Sequence, residues 1–381
     1  MAPNVTLSPA QARAIRLNSL LLAPKLAAPP KDPAEVVSWF GAMQAQDLSS
    51  GKWSFGIRLP GSTEADIDAA INAGQALRTW PMRSTVHFVP PKDARWMLEL
   101  MGPRVLTGAA RRRATIGLTD EDANRAPDIL AEALTGGRQL SRKDCIAALS
   151  EAGLSTAGQH AYHLLWYSSQ IGVTCMGPLQ DGEQMFVLLD EWVDSPNSPS
   201  REEGLAIMAV RYFRSHGPSS RADFAGWTGL TAADTKLAIA GAGADLVEVS
   251  VSGAPMYLAA DALAVLDDPA TVRTTTSTAA ARALPGFDEF LLGIKDRSLV
   301  LEPEHKQAII PGNNGIFQPT LVTGGKVKGT WRRKVSKTTV KLTATTLTDV
   351  PASQRKGLEG SLRSFGAYLG RTAEISWAGD S

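Results

Sequence analysis

Two stretches of this chain carry the same local text. "LSRKDCIAALSEAGLS" and "SSRADFAGWTGLTAAD" both place Ser-Arg first and Asp two residues later. Each then runs through an apolar segment to Gly-Leu and a new Ser or Thr. In physical terms this is a helix cap, an amphipathic helix, a glycine stop and a second cap, which is a helix-turn-helix core. A chain that repeats such a core has few folds open to it, because each copy must bury its apolar face against neighbouring elements.

The surroundings of the repeat extend it. Asp120 starts a helix through Leu134, Ser141 caps the next, and a third runs from about Thr156 to Gln170. "GVTCMG" and "QMFVLLD" then flank Asp181-Gly182, a hairpin signal. After the linker "DSPNSPS" the order recurs: a helix from Glu202 to Ser215, one opened by Ser220, "TAADTKLAIAGAG", and the β-prone pair "LVEVSVSG" and "PMYLA". A more divergent copy comes first. Following a flexible lead, Ser8-Pro9 and Asp32-Pro33 each read as a cap followed by proline at the first helical position. Ser62 caps "TEADIDAAINAG", and "ALRTW" and "STVHFVP" form a hairpin around "PMR". Helix, helix, helix, hairpin is the order of a winged helix-turn-helix unit. The expected fold class is α+β, with three tandem winged units and a β-rich C-terminal element. The expected segments are 1–115 (the first unit and following helices), 116–195, 200–275 and 276–381. In the last, "FDEFLLGI", "SLVLE", "QAIIPG" and "KVKGTW" read as short strands of a small barrel or sheet, packed on or joined to the third unit. "PASQRKGLEGSLRSFGAYLG" is a final helix.

Composition narrows the function classes. A hydrophobic fraction of 44% supports a substantial core, and no apolar run approaches the roughly 18 residues that span a membrane. Two cysteines, Cys145 and Cys175, exclude a disulfide framework and fit a reducing, cytoplasmic setting. The five histidines form no metal-ligand spacing, so neither metal nor cofactor is expected. Net charge is only +1, so any nucleic-acid footprint is local. From Glu304 to Asp349 there is no intervening acid, while Lys326, Lys328, Arg332, Arg333 and Lys334 fall within the stretch. Two readings stand side by side, a positive DNA-facing surface and a solvated strand face with lysines guarding sheet edges. The "ARRRA" run (Arg111, Arg112, Arg113) is a second phosphate candidate. The third helices of the units are poor in Arg and Asn, which argues against conventional reading of an operator.

Four stretches occur in order: "MQAQD", "RTWPMRSTVHFVP", "LPGFDEFLLGIKDRS" and "NNGIFQPTLVTGGKVKGTWRRK". Together they resemble the AlkZ/YcaQ family of winged-helix DNA glycosylases, over nearly the whole chain. The resemblance implies three winged units in a C-shape around a DNA channel, with a barrel element. It implies a hydrolase cutting the N-glycosidic bond of alkylated purines in double-stranded DNA, N7-alkylguanine or bulkier adducts and crosslinks. Three units in one chain remove the need for a dimer, so a monomer is expected, and with no lysine to name for a Schiff base the glycosylase is expected to be monofunctional. The alternative is a winged-helix DNA binder without catalysis. The family's catalytic Gln-x-Gln pair falls on Gln44 and Gln46, at the end of the second helix. In an unbroken helix their side chains would diverge by about 200°, so a helix end or a bend at Ala45 is expected. Asp47 is either a base or a helix cap. Arg83 and His87 either contact the DNA backbone or sit within the wing. Trp53, Trp80 and Trp96 read as core, and Asp288, Glu289, Asp296 and Arg297 as a structural ion-pair network.

Overall fold

The protein's structure, a computed structural model, describes residues 5–277 and 280–379. It opens with β1 (Val5–Leu7) and α1 (Pro9–Ser19), where Ser8 and Gln11 cap each other reciprocally. The expected flexible lead is therefore a strand from Val5 onward, and residues 1–4 lie outside the described residues. Next come α2 (Pro33–Phe40), β2 (Met43–Gln44), α3 (Leu48–Gly56), α4 (Glu64–Asn72) and the hairpin β3 (Leu77–Met82) and β4 (Thr85–Val89). Two helices follow, α5 (Ala94–Thr107) and α6 (Ala109–Ile116).

The second helix is shorter than expected. It stops at Phe40 because Gly41 leaves helical space at φ 77°. The positive φ favours glycine, and a β-carbon there would also press on the Arg211 side chain at 3.0 Å.

The middle of the chain follows its caps closely. Thr119 caps α7 (Asp120–Leu134) and Ser141 caps α8 (Arg142–Glu151). Then come α9 (His160–Gln170), β5 (Thr174–Gln180), β6 (Glu183–Leu188) and the short α10 (Leu189–Trp192). Ser200 opens α11 (Arg201–His216) and Ser220 opens α12 (Arg221–Thr228). These lead to α13 (Ala232–Ala242), β7 (Leu246–Val251), β8 (Ala254–Ala259) and α14 (Pro269–Thr275).

The C-terminal region holds β9 (Arg282–Leu284), α15 (Glu289–Leu292), α16 (Lys306–Ile309), β10 (Thr320–Thr323), β11 (Lys326–Val335), β12 (Thr339–Thr346), α17 (Ala352–Tyr368) and β13 (Thr372–Trp377). Two expected strands are helical turns, and a third, "SLVLE", is a turn. Asp288 caps "EFLL" through the Phe290 amide, and "KQAI" forms α16. The barrel expectation is corrected to an open sheet in the order β13-β12-β11-β10-β9. Its two end strands do not pair with each other, because α17 carries the chain across one face and β13 returns parallel to β12. The β10–β11 turn uses Gly324 and Gly325 at φ 56° and 74°, the positive values a tight hairpin needs.

Two other sheets tie distant segments together. Strands β2-β4-β3-β5-β6 form one sheet, so the first hairpin and the second are edge to edge. β1 adds in parallel to β7, which pairs antiparallel with β8, joining the start of the chain to residues 246–259. The C-terminal sheet packs against α3 rather than mainly on the third helical set. Trp53 meets Phe365 at 5.1 Å and Tyr368 at 5.0 Å, and its indole N–H donates to the Ala283 carbonyl at 2.9 Å. Trp53, Trp80 and Trp96 are all buried, as core residues. Among the described residues, no helix is long and apolar enough to cross a membrane.

Candidate functional site

The segment Gln44–Asp47 joins an edge strand to a helix. β2 is the end strand of its sheet and, among the described residues, pairs only with β4, so one side of its backbone has no strand neighbour there. An unpaired buried amide there would be costly. The structure meets this need with a side chain: the Gln44 N–H donates to Glu289 Oε1 at 2.8 Å. On the inner side the Ala45 N–H donates to the Val86 carbonyl at 2.9 Å. The Ala45 carbonyl accepts from Arg78 Nη2 at 2.6 Å.

The two glutamines therefore sit neither at a helix end nor in a helix. Gln44 closes the strand and Gln46 lies in the bend that follows, so the helix that would separate their side chains is absent. Gln44 is buried and Gln46 exposed. Both side-chain oxygens are held by amides. Gln44 Oε1 accepts from the Ala45 and Gln46 N–H groups at 2.9 and 3.1 Å, and Gln46 Oε1 accepts from Val86 N–H at 3.1 Å. A carbonyl oxygen has two lone pairs: both on Gln44 Oε1 are engaged by these amides, while Gln46 Oε1 keeps one for a water.

Asp47 is the N-cap of α3: its carboxylate accepts from the Ser50 N–H at 2.7 Å. It also lies 3.7 Å from Arg333, whose guanidinium donates to Ser49 Oγ at 3.0 Å. Of the basic ribbon, Arg333 is thus the residue brought to the glutamines. It passes over the Phe365 ring on the way, on the same face of β11 as Trp331. Side chains alternate along a strand, so Lys326, Lys328, Arg332 and Lys334 occupy the other face. Arg332 and Lys334 are exposed and make no ion pair among the described residues. Lys326 is already bound to Glu302 at 2.8 Å.

His87 stands directly across from Gln44, and Thr79 directly across from His87. His87 is fully buried, so the expected direct contact with DNA is not available to it in this conformation. Its Nδ1 lies 2.9 Å from the Thr85 carbonyl, and its Nε2 has no partner among the described residues. Burial, helped by the Arg83 charge, holds it down at about 4, so the ring is neutral at pH 7. Arg83 sits in the hairpin turn at φ 53° and leans on Gly229, where a β-carbon would lie 3.4 Å from its Cγ. Burial lowers its pKa, against the attraction of Glu289 and Tyr212.

In the "ARRRA" run only two arginines face outward. Arg111 and Arg112 are exposed, with Arg112 donating to Gln159. Arg113 is buried, bound to Asp120 at 2.5 Å and lying over the Tyr167 ring. As a surface phosphate contact Arg113 is corrected to a packing residue.

Sequence reasoning missed the roles of Arg78 and Glu289. Glu289 Oε2 accepts from the Trp227 indole at 3.0 Å and from His216 Nε2 at 3.1 Å. Burial alone would raise this carboxyl. The His216 hydrogen bond and charge, the His87 charge and the Gln44 amide outweigh burial and hold it at about 2, ionised. Asp288, its neighbour, grips Arg58 through both oxygens at 2.8 and 3.0 Å, with both side chains out of solvent. The four charged residues expected as one network therefore do not pair with each other. Asp296 accepts from the Ser298 amide, and Arg297 lies over Phe317. The signal available in the sequence was an acidic pair in an otherwise apolar run, "FDEFLL", and an arginine inside a strand whose other positions are all buried.

Among known proteins, a model of the family "DNA glycosylase AlkZ-like" matches residues 37–368. A curated relative from Streptomyces sahachiroi, described as an interstrand DNA cross-link repair glycosylase, is 26% identical over 314 residues, covering 78% of this chain and 81% of that protein. The solved structure of Streptomyces sahachiroi DNA glycosylase AlkZ superposes with a TM-score of 0.77 at 22% identity, covering 98% of this chain and all of that one. That likeness carries the α+β fold.

Proposed function

This chain belongs to the AlkZ-like DNA glycosylase family, hydrolases of N-glycosyl bonds, and from that membership we propose that it excises N7-alkylated purines from duplex DNA with a water aimed by Gln44 and Gln46. The observation that supports the pair is the fixing of both side-chain oxygens by backbone amides, with Gln46 open to solvent. An N7-alkylguanine carries a positive charge and leaves as a neutral base, so a strong general acid is unnecessary. Water attacks C1′, the bond from C1′ to N9 breaks, and its electron pair neutralises the purine ring. One proton is released to solvent. The Gln46 oxygen, with a lone pair to spare, aims the water, Gln44 holds the Gln46 amide in place, and both carbonyl dipoles favour the positive charge developing on the sugar. No lysine is assigned a Schiff-base role, so the product is an abasic site without strand cleavage.

In this reading the chain acts as a monomer, with three winged-helix units in a C-shape around the duplex (1–115, 116–195 and 200–275) and the 276–381 region closing it. Arg111, Arg112, Lys326, Lys328, Arg332, Arg333 and Lys334 supply phosphate contacts. Bulky adducts and interstrand crosslinks are the wider substrate class, in line with the activity named for the Streptomyces relative. The test is excision from an oligonucleotide duplex carrying a single N7-methylguanine, with a crosslinked duplex in parallel. Abasic product from wild type that disappears in Gln44→Ala/Gln46→Ala supports the proposal. Binding to both duplexes with no base released from either would replace it with a non-catalytic DNA binder.

A further inference from the structure

Two glutamines can aim a water only if their own backbone does not move. The segment that carries them is poorly placed for this, at the free edge of a sheet and in the bend after a two-residue strand. Ordinary strand pairing reaches it from one side only, through Val86. Two buried charges do the rest. Glu289 receives the Gln44 N–H on the outer edge, and Arg78 donates to the Ala45 carbonyl. Both are charge-assisted bonds, roughly twice as strong as neutral ones.

Each charge is itself anchored from another part of the chain. Glu289, in α15, is held by Trp227 of α12 and His216 of α11. Arg78, in β3, contacts Gln184 of β6, and its ring-facing side lies over Phe88 at 5.9 Å. Gln184 in turn donates to the Gly177 carbonyl at 3.0 Å. Both clamp residues are almost wholly out of solvent. A buried ion kept in place by several hydrogen bonds has one geometry available to it, and it passes that rigidity to the peptide it holds.

We propose that Glu289 and Arg78 are the positioning residues of the Gln44–Gln46 segment, a two-sided charged clamp that fixes its backbone from opposite directions. Neither touches the DNA; Glu289 acts through the Met43–Gln44 peptide and Arg78 through the Ala45–Gln46 peptide. The inference rests on the reading of Gln44 and Gln46 as the water-aiming pair. It also assigns work to the "FDEFLLG" stretch: Asp288 locks α15 against Arg58 so that Glu289 arrives at the sheet edge.

The experiment compares wild type with Glu289→Gln, Arg78→Met and Arg78→Lys. Three quantities are read: single-turnover excision of N7-methylguanine at saturating enzyme, duplex Kd, and hydrogen exchange of the peptide spanning 42–47. Glu289→Gln turns an amide NH2 toward the Trp227 N–H, so Glu289→Gln/Trp227→Phe, which removes that conflict, is measured beside it. Melting of each variant above the assay temperature identifies the folded ones. The expected result is a tenfold or larger fall in rate for Glu289→Gln (with or without Trp227→Phe) and for Arg78→Met. Kd should stay within twofold, exchange at 42–47 should quicken, and Arg78→Lys should recover part of the rate.

Rates within twofold of wild type in both clamp variants would overturn the clamp, as would rate losses that only track lost DNA affinity. Gln44→Ala/Gln46→Ala run in the same series separates the two ideas. If it keeps wild-type excision, the glutamine reading fails and the clamp with it. If it alone loses excision, only the clamp fails. Should wild type release no N7-methylguanine, unchanged exchange at 42–47 in both clamp variants overturns the proposal by itself.

Discussion

The glutamine segment and the outer half of β11 meet through one residue, Arg333, yet they are built on opposite principles. Around Gln44–Gln46 the backbone polar atoms are paired and tied to buried residues of elements far apart in the chain. Along β11, Arg332 and Lys334 stand in water without an ion pair among the described residues. The first arrangement fixes geometry. The second leaves charge free to follow a phosphate. Under the proposed function, one polypeptide separates where a bond is broken from how the duplex is gripped, and mutations in the two regions should be distinguishable by which quantity they change.

The comparison is tested most severely at its structural foundation. Asp288→Ala leaves Arg58 charged and buried without its partner, which should cost about 3–5 kcal/mol of stability, read as a fall in the denaturant midpoint. A change below about 1 kcal/mol would mean that α15 is not locked in this way. Gln44→Ala/Gln46→Ala should come next, with excision reduced about tenfold or more, at least ~1.4 kcal/mol of barrier, and duplex affinity unchanged. Equal losses of rate and affinity would erase the distinction between the regions. Arg332→Ala/Lys334→Ala should do the reverse. It should reduce the slope of log K against log salt by about two phosphates' worth while leaving the saturated rate alone. Asp47→Ala removes a helix cap, for about 1 kcal/mol of stability, with the rate retained within threefold. A larger rate effect would make Asp47 a participant rather than a cap.

The smallest effect at neutral pH is at His87. Its folded pKa of about 4 lies below the ordinary 6.5, chiefly through burial. Between these values the unfolded chain binds a proton that the folded one refuses. The contribution is therefore complete above pH 6.5 and drains away as pH falls toward 4. His87→Phe should flatten that decline without altering stability at pH 8. His163 is lowered to about 4 mainly by burial as well, so part of the slope should remain. An unchanged profile would show that His87 is hydrated in solution.

How much of this was readable from the chain depends on the range of the physics involved. Caps and glycine stops are local, so Ser8-Pro9, Asp32-Pro33, Ser141, Ser220 and the Asp181-Gly182 turn marked their elements well. The second helix was drawn too long because "GAMQAQ" has helix-compatible side chains, and only the φ of Gly41 and the crowding by Arg211 end it. "FDEFLLGI" looked β-prone because its apolar run is short; the Asp288 cap decides for helix. The glutamines were visible through family resemblance alone. Glu289 and Arg78 were not, because their partners lie 245 and 33 residues away and nothing local records such distances. His87 looked accessible in a wing but is covered by residues from other elements.

The pairing of β1 with β7 matters to anyone who trims or fuses this chain. Val5, Thr6 and Leu7 run alongside Val249, Ser250 and Val251. A fragment started at Pro9 would bare a row of amides and carbonyls along β7, beside the buried Val249 and Val251. Such an uncovered edge invites a neighbouring molecule to add its own strand. A shortened preparation should thus clump where the intact one stays dispersed, and a carrier joined at the front needs a spacer long enough to let those three residues dock.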